Sequence, residues 1–339
     1  LHAAAICNVL KNKGLAMNKP MRFAIIGCGA VTEVKSGPAY QQAEGIELIG
    51  VTRRDLEKAH DYAKRHNIAK VFASPSELIN DTSVDAVYIA TPPDSHKAFA
   101  LEVAAAGKPC CIEKPLAPSY QDSLDIVAAF KEAKQPLFVA YYRRSLPRFN
   151  HVKQLLEQGA IGKPRHVSWH LSKAPNALDL SGEYNWRTDQ NVARGGYFDD
   201  LASHGLDLLA YLLGDFNKVH GLCANQQGLY SAFDAITAHW QHQSGVTGAG
   251  SWNFASANRF DDVMIYGSEG ELSFSVFDEK PIVLNNARGK QQFEIDNPAH
   301  IQQYHVENMA NYFHAQQPHP STGETALHTS WVMEQILSA

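Results

Sequence analysis

The sequence predicts an α/β domain with a parallel sheet covered on both faces, joined to an α+β domain built on a large, open, mainly antiparallel sheet. Three observations carry that reading. The chain has 339 residues, long for one hydrophobic core. Between Met21 and Tyr142, short apolar runs alternate with helical stretches, the pattern of strands buried on both sides. From Lys218 to Ile295, strand follows strand with Gly and Asn turns between, which suits an antiparallel sheet.

In the first domain, MRFAIIG reads as a strand, followed by a glycine turn and a helix to about Gln42. IELIGVT, VFAS, VDAVYIAT, PCCIEKP and PLFVAYY are the later strands. DLEKAHDYAKRH, SELIN, SHKAFALEVAAAG and SYQDSLDIVAAFKEA are the helices between them. In the second domain, a helix near Asn150–Gln158 stops at Gly159, a residue suited to a C-cap. RHVSWHLS is a strand, and LASHGLDLLAYLLG is a helix closed by Gly214. Seven strands run from VHGLCAN to QFEI, and helices near Ile301–Ala315 and Thr325–Leu337 finish the chain. The boundaries are an extension over residues 1–20, a first domain over 21–142 and a second over 143–339.

Composition excludes several function classes. The net charge is −5, and Lys and Arg are scattered, so nothing marks a nucleic-acid surface. No run approaches the roughly 18 apolar residues of a membrane span. Residues 1–20 lack the basic and apolar regions of a secretory signal. The five cysteines form no CxxC pair, which points to a reduced, cytoplasmic protein without structural disulfides or zinc.

The strand–turn–helix segment AIIGCGAVTEV holds the strongest local signal. Gly27 permits a tight turn, and Gly29, ahead of Ala30 and Val31, lets the backbone approach a pyrophosphate. This marks a Rossmann domain that binds a dinucleotide, although a third glycine is replaced by Thr32. At the end of the second strand, an acidic residue would hold the ribose 2′-hydroxyl of NAD. The sequence has Thr52, Arg53 and Arg54 there instead. Two guanidiniums suit a 2′-phosphate and favour NADP over NAD, the alternative being a solvated pair at a loop end.

Further on, TPPDSH (Thr91–His96), CIEKP (Cys111–Pro115), WRTD (Trp186–Asp189) and GGYFDDLASHGLD (Gly195–Asp207) together resemble the glucose–fructose oxidoreductase / inositol dehydrogenase / MocA family. The resemblance covers the chain after residue 20. It implies a Rossmann domain, an open C-terminal sheet often used for oligomerisation, and reversible hydride transfer on sugars, polyols or related carbonyl compounds. It also implies that Thr91, Pro92 and His96 line the nicotinamide side. Glu113 and Lys114 would sit beside the nicotinamide ribose and ring. Trp186 and Arg187 would approach from the second domain, and Asp200 and His204 would face the substrate with Lys114. Two positions depart from the family pattern: Ala202 stands for the glycine of D-x-G-x-H, and Arg194 for the first glycine before it.

Carbonyl reduction needs a proton donor or cation at the developing alkoxide. Lys114 can supply it; outside the EKP context it would read as a surface lysine. Asp200 and His204 are spaced i,i+4, so a helix would bring them to one side, where they could share hydrogen bonds. Alternatively, Asp200 caps the helix and His204 packs as a polar core residue. Asp207 reads as a supporting residue. No metal is needed, and the zinc spacing H-E-x-x-H is absent. Arg143 and Arg144 follow the last parallel strand and could shape the cleft. Tyr304, in HIQQYH, reads as a helix face rather than a substrate contact.

These readings converge on an NADP-dependent oxidoreductase acting on a polar carbonyl or hydroxyl compound. The alternatives are an NAD-dependent glycosidase of the same fold and a non-catalytic nucleotide-binding regulator. The expected partners are a small-molecule substrate and a second copy of the chain, with no nucleic acid or membrane. Trp240, Trp252 and Phe254 are read as the outer face of the second sheet, through which a homo-oligomer would form.

Overall fold

Residues 19–338 are described by a computed structural model of the chain. The extension expected over residues 1–20 therefore lies, apart from Lys19 and Pro20, outside the described residues. Six parallel strands form the first sheet: β1 (Met21–Ile26), β2 (Ile46–Thr52), β3 (Lys70–Val71), β4 (Ala86–Ile89), β5 (Cys110–Ile112) and β6 (Leu137–Val139). Their order is β3-β2-β1-β4-β5-β6. The order reverses between β1 and β4, and the crevice at the strand ends there is where such sheets take their ligands.

Helices α1 (Ala30–Val34), α2 (Gly37–Gln42), α3 (Leu56–Arg65), α4 (Pro75–Asn80), α5 (His96–Ala105) and α6 (Tyr120–Ala133) cover this sheet. The single helix expected to Gln42 is two. Pro38 lies in the first turn of α2 and has no N–H to extend the ladder from the turn before. Residues 143–146 lead into α7 (Pro147–Glu157), which starts at its proline, three residues ahead of Asn150.

The second sheet has eight strands: β7 (Pro164–Ser172), β8 (Phe216–Ala224), β9 (Ala235–His242), β10 (Thr247–Asn253), β11 (Phe260–Gly267), β12 (Gly270–Phe274), β13 (Ile282–Asn286) and β14 (Gly289–Phe293). Their order is β14-β13-β12-β11-β7-β10-β9-β8, antiparallel throughout except where β7 meets β10. Between β7 and β8 lie the short α8 (Ala177–Ser181), a π-helical turn (Phe198–Ala202) and α9 (Ser203–Leu213). Last come α10 (Gln303–Ala315) and α11 (Gly323–Leu337).

One expectation is corrected here. Trp240, Trp252 and Phe254 lie on the inner face, buried in one core with Leu206 and Leu209 of α9. Strand alternation separates two faces, but only the position of the helices decides which is covered. The outward rows instead carry Leu222, His220, Thr237, His239, Ala249 and Ser251. The last two helices also pack on the first domain. Val306, Met309 and Ala310 of α10 pack in a core with Phe23 and Tyr40. Ala326 of α11 packs with Ile126 and Phe130 of α6. The chain thus returns to cover its own first domain.

Candidate active site

A cavity of about 660 Å³ opens between the two sheets. Its first wall is the glycine turn. Gly27 has φ of +94°, and a Cβ there would lie 2.7 Å from Thr91 Cγ2, so only glycine fits without strain. A Cβ on Gly29 would meet nothing within 4 Å, which leaves open room against its backbone, with Ala30 and Val31 beside it on the wall. That cradle fits a dinucleotide pyrophosphate. Thr32, in place of a third glycine, is fully buried. Its hydroxyl donates to the Gly29 carbonyl at 2.8 Å, and its own carbonyl accepts from Tyr62 Oη at 2.9 Å.

Arg53 Nη1 donates to the Cys28 carbonyl at 3.0 Å, which pins its guanidinium beside the glycine turn. Arg54 is exposed. The next acid, Asp55, is engaged elsewhere, accepting from the Lys58 amide as the N-cap of α3. Thr52 lies behind the wall: its hydroxyl donates to the Phe72 carbonyl, and its carbonyl accepts from the Gly27 amide at 2.9 Å. It shapes the turn from below and does not line the cavity.

Thr91 and Pro92 line the cavity, and the Thr91 hydroxyl accepts from Ser95 Oγ at 2.7 Å. His96 is placed otherwise than expected. Its ring is fully buried, within hydrogen-bond distance of the Thr91, Pro115 and Leu116 carbonyls, and burial lowers its pKa. It fastens the Thr91 loop to the loop after Lys114 and stays out of the cavity. Glu113 Oε1 accepts from Tyr88 Oη at 2.6 Å and from Gln302 Nε2 at 2.7 Å. Tyr88 is hidden in an apolar strand, and Gln302 sits two residues from Tyr304, so neither stood out in sequence. Tyr304 itself packs against the core of the second domain.

Lys114 leaves the end of β5 and crosses to the second domain. Its Nζ donates to the Asp200 carboxylate and, at 2.8 Å, to the Asp200 carbonyl. The other carboxylate oxygen accepts from Arg187 Nε at 2.9 Å, and the Arg187 guanidinium lies over the Trp186 ring at 4.3 Å. Burial acts to raise the Asp200 pKa, but Lys114 and Arg187 outweigh it and hold the carboxyl well below its usual range. The N-cap of α9 is Ala202, so Asp200 is not the cap. The π turn frees it from that duty and aims it across the cleft.

His204 is 4% exposed and packs edge-on to the rings of Tyr141, Tyr142 and Phe277. Burial first, then Arg143, Lys114 and Lys35, hold its pKa well below the usual histidine value. It is a neutral ring. The shared hydrogen bonds expected between Asp200 and His204 do not form. Both line the cavity, but the two Asp200 carboxylate oxygens are held by Lys114 and Arg187, and His204 Nδ1 is buried without a partner among the described residues. Asp207 faces the core instead, held by Arg144 Nε and Nη2 at 2.7 and 2.9 Å. Arg143, by contrast, lines the cavity with Lys35, Tyr142, Phe277 and Asn297.

Residues 21–141 match the family model described as "Oxidoreductase family, NAD-binding Rossmann fold", and residues 149–273 match "GFO/IDH/MocA C-terminal domain". The chain is 33% identical over 320 residues to "Oxidoreductase P35" of Formosa agariphila, covering 94% of this chain and 98% of that one. It is 28% identical to the 1,5-anhydro-D-fructose reductase of Ensifer adhaerens, over 83% of this chain and 84% of the other. A solved levoglucosan dehydrogenase, in complex with NADH and levoglucosan, superposes with a TM-score of 0.83 at 20% identity, over 94% and 96% of the two chains. At that identity the likeness is one of fold.

Proposed function

The chain belongs to the GFO/IDH/MocA oxidoreductase family, and from that premise we propose that it is an NADP-dependent dehydrogenase or reductase of a sugar, polyol or related compound, with Lys114 as its proton-transferring group. An NAD(P)-dependent oxidoreduction of CH–OH and carbonyl groups is common ground for the family members it matches. The finer reading rests on one observation. Lys114 from the first domain meets Asp200 from the second across the cleft.

When bound, a nicotinamide dinucleotide supplies or accepts the hydride. The residues of the chain do the rest. An ammonium has three N–H donors, and two of those on Lys114 go to Asp200. The third is left for the substrate oxygen. In reduction, that oxygen takes the proton from Nζ as its carbon takes the hydride; in oxidation both return. Asp200 fixes the ammonium in place through its carboxylate and its carbonyl. His204, neutral, can meet a substrate hydroxyl as donor or acceptor, and Trp186 with Arg187 closes the cleft from above.

NADP preference is supported by Arg53, whose donors beyond Nη1 remain open at the glycine turn, and by the engagement of Asp55 elsewhere. The test is oxidation of NADPH and of NADH against aldoses, ketoses, osones and diketones, and the reverse reaction with polyols. Stoichiometric cofactor turnover with NADPH preferred supports the reading. Glycoside cleavage with no net cofactor consumption, or cofactor binding with no turnover, overturns it.

Among the described residues, no helix is long and apolar enough to cross a membrane, and Cys28, Cys110, Cys111 and Cys223 are free thiols. A reducing cytoplasm suits such thiols, and cell fractionation tests that assignment. The outward face of the second sheet shows Leu222, Phe260 and Tyr266 at 74%, 48% and 41% exposure. We assign this face to a homo-oligomer contact. Light scattering that finds a monomer at micromolar concentration removes it.

A further inference from the structure

The proposed function leaves one cavity group without a task, the guanidinium of Arg143. It is 5% exposed. Its Nε donates to the Val276 carbonyl at 3.0 Å, and Nη1 is buried with no hydrogen-bond partner among the described residues. The Tyr142 and Phe277 ring centroids lie 5.0 and 4.4 Å from it. No carboxylate of the described residues forms an ion pair with it. A buried cation without a counter-charge is strongly unfavourable, so this site is built to receive one.

The neighbouring acids are already committed. Asp200 is taken by Lys114 and Arg187, and Glu113 by Tyr88 and Gln302. Glu279 is exposed at the rim and accepts from Asn297 Nδ2 at 2.7 Å. Asp261, buried beneath the same segment, accepts from Trp169 Nε1 and from the Phe277 amide. Arg148 adds a second buried cation nearby, its Nη2 on the Lys280 carbonyl at 2.8 Å. The cavity therefore presents an open cation at one end. Its wall also holds an unused acceptor: Asn297 gives its amide N–H to Glu279, which leaves Oδ1 buried and without a partner among the described residues.

We infer that the substrate is a polyhydroxylated carboxylic acid, a sugar acid or its oxo form, whose carboxylate docks on Arg143 while a hydroxyl donates to Asn297 Oδ1. The inference rests on the dehydrogenase reading above and narrows its substrate class. A carboxylate is planar and singly charged, and it can pair with the free N–H groups of a guanidinium flanked by two rings.

The test uses the full chain, with saturating NADP for several hexuronates and aldonates and saturating NADPH for 2-keto-aldonates, and compares each with its neutral counterpart and its phosphate ester. The best acid should exceed its neutral counterpart in kcat/KM by about tenfold to hundredfold, the range of a charge-assisted hydrogen bond. Arg143→Met should bring that ratio close to one, and Arg143→Lys should restore part of it. The ratio is internal to each variant, so partial unfolding cancels. A preference for neutral or phosphorylated compounds, or an equal loss on both in Arg143→Met, overturns the inference and leaves the dehydrogenase reading standing. No cofactor turnover with any compound overturns both.

Discussion

Two aspartates seven residues apart, Asp200 in the π turn and Asp207 in the body of α9, each meet a cation, yet they do different work. Asp200 keeps an 18% exposed side chain and shares its two oxygens between Lys114 and Arg187, which come from different domains. Asp207 is fully buried and closed by one arginine, with Thr329 Oγ1 donating at 3.1 Å. The Asp200 carboxyl is held low because two cations overcome its burial. The Asp207 carboxyl is raised because burial outweighs Arg144. An ion pair is therefore not in itself a sign of function. What matters is whether a donor is left over and whether it faces open space.

The largest effect expected from this contrast is on Lys114. Lys114→Met should lower turnover about 10²–10⁴-fold, the usual contribution of a positioned acid, while NADPH binding measured by fluorescence titration stays near normal. Near-normal turnover would break the contrast at its centre. Asp207→Ala should act on the other axis. Removing one partner of a buried pair costs about 3–5 kcal/mol, so the denaturation midpoint should fall sharply while kcat per folded molecule holds. A loss of kcat without a loss of stability would place Asp207 in the site after all.

Arg53→Ala should weaken NADPH about tenfold to hundredfold and NADH far less, by direct titration, with a smaller effect for the exposed Arg54→Ala. Equal losses for both cofactors would make the pair ordinary loop charge.

Asp199 sharpens the comparison through pH. Its carboxylate accepts from the Gly195 amide at 2.9 Å, its other oxygen has no hydrogen-bond partner among the described residues, and burial pushes its pKa up to about 7. A folded-state pKa raised above the unfolded value means stability present at low pH and lost as pH rises toward 7. Asp199→Asn should therefore gain stability over the wild type progressively from about pH 4 to pH 7, and no further above. A pH-independent difference in the urea midpoint would refute this. The smallest effect belongs to His204. Its lowered pKa keeps it neutral near pH 7, so His204→Asn should lower turnover without moving either limb of the pH–rate profile between pH 6 and 8. A lost limb would show that the ring is charged during turnover.

The sequence by itself determined what depends on local pattern. Strand–helix alternation gave the order of the first domain, Gly27 and Gly29 marked the turn, and Arg53 marked the missing acid. The family resemblance carried by the motifs implied that Lys114, Trp186, Arg187, Asp200 and His204 share one cleft, and all five line the cavity. Tertiary structure decided what depends on distant partners. Which face of the second sheet is inner follows from where α9 lies, and parity alone put Trp240 and Trp252 on the wrong side. His96 has the sequence position of a ligand contact, but three carbonyls from two loops surround its ring. Asp200 and Asp207 look alike on one helix; the π turn and the arrival of Lys114 or Arg144 separate them. Arg143 and Arg144 are adjacent, and the fold sends one to the cavity and the other to the core. Charge and hydrogen-bonding capacity are written residue by residue, whereas burial and the identity of a partner exist only once the chain has closed.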